Sequence, residues 1–72
     1  MENLIAQLEE TNRRVSEGAR EITRLKNEIV RLQTQGKDFA EVHRRLGIYH
    51  AMQLKLLAEQ IQIRDALRRA SA

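Results

Sequence analysis

The chain has 72 residues, 13 basic against 10 acidic side chains for a net charge of +3, and neither proline nor cysteine. So short a chain can enclose a single core, and without cysteine it has no disulfide framework and no thiolate zinc site, so its stability must come from helix packing or association. No stretch approaches the roughly 18 to 20 apolar residues that cross a bilayer, and Met1-Glu2-Asn3 lacks a basic leader, so a soluble cytoplasmic protein is expected.

Alanine, leucine, isoleucine, glutamate, glutamine and arginine dominate, and Phe39 and Tyr49 are the only aromatic residues, a composition of long helices with thin apolar stripes. The spacing predicts a first helix over about residues 3–34. Leu4, Leu8, Thr11, Val15, Gly18, Ile22, Leu25, Ile29 and Leu32 alternate at intervals of four and three, a heptad seam with Val15, Ile22 and Ile29 at a and Leu4, Leu25 and Leu32 at d. Glu9 to Arg13 and Glu10 to Arg14 have the spacing of helical ion pairs, each contributing about 0.2 to 0.5 kcal/mol.

The seam stops at Thr34-Gln35-Gly36-Lys37-Asp38, where Gly36 can adopt the left-handed conformation that ends a helix and Asp38 can cap the next one, with Glu41 as an acidic residue in its first turn. With a turn over residues 35–37, a second helix over about 38–70 carries its own seam. It runs through Phe39, Val42, Leu46, Tyr49, Gln53, Leu56, Gln60, Ile63, Leu67 and Ala70.

If the chain folds back on itself, facing residues have numbers that sum to 71: Leu32 with Phe39, Ile29 with Val42, Leu25 with Leu46, Ile22 with Tyr49, Val15 with Leu56, Leu8 with Ile63 and Leu4 with Leu67. The polar or small exceptions also meet, Gly18 with Gln53 and Thr11 with Gln60. A shifted register sets both glutamines against leucine or isoleucine, at a cost of order 1 to 3 kcal/mol per unpaired amide. An all-α antiparallel hairpin is therefore expected.

Helix two has more apolar surface than one partner can cover. Leu54, Leu57 and Ile61 continue a line with His43, Gly47 and His50, and Ile48 and Met52 are read as its flank. The expected remedy is a homodimer in which helix two packs on its copy to form a four-helix bundle; another helical protein on the same surface is the alternative.

His43 and His50 are seven residues apart, without the helical i, i+4 or Glu-x-x-His pairing that holds a metal, although at an interface they could respond to pH. No phosphate loop, nucleophile motif or paired catalytic carboxylates occur, so neither an enzyme nor a cofactor is expected. Lys37, Arg44 and Arg45 gather near the turn and give the best case for RNA or DNA, but Glu21, Glu28, Asp38 and Glu41 share that end and favour a salt-bridged solvated face.

The segments Val15-Ser16-Glu17-Gly18-Ala19-Arg20-Glu21-Ile22, Ile29-Val30-x-Leu32, Gly36-Lys37-Asp38 and Ile63-Arg64-Asp65-Ala66-Leu67 resemble a group of small uncharacterised proteobacterial proteins. In that group the acidic residue follows the glycine, whereas here Glu17 precedes Gly18. The resemblance implies a bacterial helical hairpin and brings no activity with it.

Overall fold

The computed structural model describes residues 2–71 and contains two α-helices, α1 (Glu2–Thr34) and α2 (Ala40–Ser71). They lie side by side as a rod measuring 56 × 14 × 14 Å. Among the described residues there is no strand, and no helix is long and apolar enough to cross a membrane.

The reversal is built from the residues that signal it. Gly36 has a φ of 67°, its N–H donates to the Gln33 carbonyl (3.0 Å), and the Lys37 N–H donates to the Leu32 carbonyl (2.9 Å). These are the two bonds of a Schellman cap. The Asp38 carboxylate then accepts from the Ala40 N–H at 3.0 Å, as an N-cap does. α2 accordingly begins two residues later than the sequence pattern suggests, because Asp38 and Phe39 form its entry. A Cβ on Gly36 meets nothing within 4 Å, so a substitution there is opposed by backbone conformation alone. Gly36→Val is expected to cost about 1 to 2 kcal/mol and Gly36→Asn clearly less, since asparagine tolerates the left-handed region. Equal losses in thermal unfolding of the two variants contradict this account.

Both seams point inward, but the core is thin. Leu25 (2% exposed) and Ile22 (9%) are its buried apolar residues, and Leu8, Val15, Gly18, Ile29, Leu32, Phe39, Val42, Leu46, Tyr49, Gln53, Leu56, Ile63 and Leu67 are half-buried. Ala70 is exposed, so the α2 seam ends at Leu67. Thr11 is buried at 7% exposure, and its hydroxyl donates to the Gln7 carbonyl one turn back at 2.8 Å.

Two cross-helix hydrogen bonds fix the register. The Gln53 side-chain Nε2 donates to the Val15 carbonyl at 2.8 Å, and the Gln60 Nε2 donates to the Asn12 Oδ1. Gln60 therefore bonds to Asn12 and not to Thr11, whose hydroxyl donates within its own helix. Gly18 makes the first bond possible. A helical side chain covers the turn preceding its own Cα, and a Cβ at Gly18 falls 2.2 Å from the Gln53 Oε1. Glycine thus keeps the Val15 carbonyl open to a second donor.

Gly18→Ala gains about 1 kcal/mol of helix propensity but displaces the Gln53 amide, whose bond contributes about 0.5 to 1.5 kcal/mol and which costs more if left unpaired. The variant is expected to be no more stable than the parent, whereas Gly18→Ala in a Gln53→Ala background is expected to be stabilising. Additive effects of the two substitutions in denaturant titration refute the coupling.

Candidate interaction face

Because each residue turns an α-helix by 100°, the positions just before and just after each seam residue lie on opposite flanks. In an antiparallel pair the two preceding flanks share one side of the rod and the two following flanks share the other. Grooves on the first side are lined by Arg14, Glu17 and Glu21 of α1 together with Met52, Lys55 and Glu59 of α2, and farther along by Gln7 and Glu10 with Gln62, all of them preceding positions.

That side is laced with charge. Glu10 pairs with Arg13 and Arg14, Arg13 also with Glu17, Glu21 with Arg24, Glu28 with Arg31, and Glu41 with Arg44 and Arg45. The Glu10–Arg14 pair anticipated from spacing forms, while Arg13 turns to Glu10 and Glu17 instead of Glu9. Hydrogen bonds from Arg13, Arg24, Arg31 and Arg44 hold the carboxyls of Glu10, Glu21, Glu28 and Glu41 below the usual glutamate range. Their pKa values are depressed in the folded state, so any stabilisation is present above the ordinary glutamate range and lost as pH falls through the lowered values. Glu10 and Glu41 are exposed and Glu21 and Glu28 half-buried at the surface, and such solvent-facing pairs contribute little each.

Arg44 and Arg45, the arginines that carry the nucleic-acid alternative, both reach the Glu41 carboxylate, at 2.7 and 3.5 Å. Lys37 stands exposed in the turn. The turn end is thus largely self-neutralised. Among the described residues no group of three or more histidine, aspartate or glutamate side chains is placed to hold a metal.

The other side differs in kind. Its α2 positions include His43, Gly47, His50, Leu54, Leu57, Ile61, Arg64 and Arg68, and its α1 positions include Ile5, Glu9, Asn12, Ser16, Ala19, Thr23, Lys26 and Val30. Leu54 is 70% exposed, Ile61 64% and Val30 60%, with Ile5 and Leu57 also substantially open. Of the eight ion pairs among the described residues only Arg68–Asp65, near the end of α2, draws a residue from this side. The hairpin therefore has one face of paired charges and one of apolar, small and polar residues whose charged members Glu9, Lys26 and Arg64 take part in none of these ion pairs.

This geometry corrects one part of the sequence reading. Ile48 and Met52 precede seam residues Tyr49 and Gln53, so they lie on the charged side, Met52 in the groove beside Gly18, and do not flank Leu54, Leu57 and Ile61. It also adds to it, since Ile5 and Val30 of α1 extend the apolar face beyond α2. The signal was available in the sequence, in the offset of each apolar residue from its own seam.

No protein-family model, curated protein or solved structure matches this chain.

Proposed function

We propose that this chain is a self-associating structural module, pairing through the apolar face to form a four-helix bundle and acting by presenting surface and not by catalysing a reaction. The observation that carries the reading is the segregation of the two faces. Leu54, Leu57, Ile61, Ile5 and Val30 are exposed together on the side that lacks ion pairs along most of its length. A hairpin that remained alone in water gains nothing from that segregation, and monomers rarely expose so long an apolar strip.

Surface area supports the same reading. The rod exposes 5507 Å² for 8.4 kDa, against about 4,600 Å² for a compact monomer of that mass. A face 56 Å long and about two helix diameters wide offers on the order of 1,000 Å² per copy, more than the ~800 Å² per partner of a stable interface.

Sedimentation equilibrium at micromolar concentration tests the proposal. A species of twice 8.4 kDa is expected. A stable monomer under those conditions rejects it and leaves the face to a different helical protein.

A further inference from the structure

We propose that the two copies stack end over end, α1 on the partner's α1 and α2 on the partner's α2, about a two-fold axis that lies between the faces and crosses the rod at right angles near Leu54. The proposal rests on self-association through the apolar face and adds its orientation and register. The apolar face of α1 complements its own reverse. With residue numbers summing to 35, Ile5 meets the partner's Val30, Glu9 the partner's Lys26 and Ser16 the partner's Ala19. Opposite charges and apolar residues thus fall on their complements, and two-fold symmetry forms the Glu9–Lys26 pair twice.

The α2 strip is compatible with the same centre. Reversed on itself at sums of 107 and 108, it sets Leu54 against its own copy, His50 against the partner's Leu57, and Ile61 over the partner's Gly47. A Cβ at Gly47 meets nothing within 4 Å in the hairpin, so the absent side chain opens a shallow site on this face, not within the intrachain seam. Intrachain layers sum to 71, so the midpoint of the α1 pattern, between Glu17 and Gly18, is level with the midpoint of the α2 pattern, between Gln53 and Leu54. One axis therefore serves both helices.

The competing two-fold arrangement has its axis along the rod and lays α1 on the partner's α2. It sets Leu54 and Leu57 on Ser16 and Ala19, and Ile61 beside Glu9 and Asn12, burying leucine and isoleucine against polar or small groups. Direct pairing of α2 with its copy sets Leu54 on Leu54 and Ile61 into the space over Gly47, with Leu57 beside His50, and keeps Glu9 against Lys26 instead of beside Ile61.

The chain has no cysteine, which makes the test direct. Under mild oxidation Leu54→Cys is expected to form a covalent two-chain species, while Met52→Cys, on the charged face, forms none above the level of random collision. In low salt Glu9→Lys or Lys26→Glu alone is expected to weaken dimerisation about threefold to tenfold, and the double reversal to restore it to within about twofold. A wild-type dimer in which Leu54→Cys links no better than Met52→Cys, or in which the double reversal fails to recover, overturns the register but leaves self-association standing. A monomeric wild type overturns both.

Discussion

Leu25→Ala is expected to lower the stability of the fold by about 2 to 4 kcal/mol, the largest loss from any single truncation in the intrachain seam. Leu25 is 2% exposed, the least accessible of the described residues, and with Ile22 makes up their buried apolar core. Its methyl groups lie between two rods tied at one end, which close poorly around a cavity because Gly36 fixes the turn a few layers away and the Gln53 and Gln60 bonds fix the register farther along. The loss is expected to appear as a fall of roughly 10 to 20 °C in the unfolding midpoint. Ile48→Ala supplies the contrast. Ile48 is 47% exposed and lies off both apolar surfaces, so its truncation is expected to stay within about 0.5 kcal/mol. Circular dichroism melts at matched concentration decide the matter. Similar shifts for the two variants mean that the stabilising core is not the Ile22–Leu25 layer.

The fold was legible because its signals are local and repeated. Heptad spacing specifies which stripe of each helix is apolar, and the Gly36 to Asp38 turn specifies where one stripe folds back on the other; the Schellman bonds and the Asp38 cap are the physical form of those letters. The closeness of Gly18 and Gln53 was legible too, because two irregularities met in a single register. The partner of Gln60 was less accessible. A threonine in a helix can satisfy its hydroxyl on the preceding turn, as Thr11 does, and the Gln60 amide bonds to the longer side chain of the neighbouring Asn12. Spacing alone also mixed the two flanks of α2. Ile48 and Met52 are near Leu54 in sequence, yet a one-residue offset from the seam turns them to the far side. Association lies a further step away, since it depends on how a whole face complements a copy of itself, a property that no single motif encodes.

Leu57→Glu is expected to abolish association while leaving the hairpin helical. Leu57 is 38% exposed, the most enclosed of the exposed apolar residues on α2. With 38% of the residue left to cover, loss of its contacts with a second copy removes about 0.5 to 1 kcal/mol of apolar burial at each of two symmetry-related positions. The introduced carboxylate must also lose water on burial, a cost of several kcal/mol that one hydrogen bond from the partner's His50, set opposite by the proposed register, offsets only in part. Together these exceed the 1.4 kcal/mol of a tenfold change by a wide margin, so the dissociation constant is expected to rise at least a hundredfold. Within one chain the new glutamate can turn to solvent, so helical content at high protein concentration is expected to remain substantial, and the melting temperature is expected to lose its dependence on concentration. Sedimentation and concentration-dependent melts measure the two effects separately. A variant that still dimerises places the interface elsewhere, and one that loses its helices together with its partner shows that the hairpin and the bundle fold as one unit.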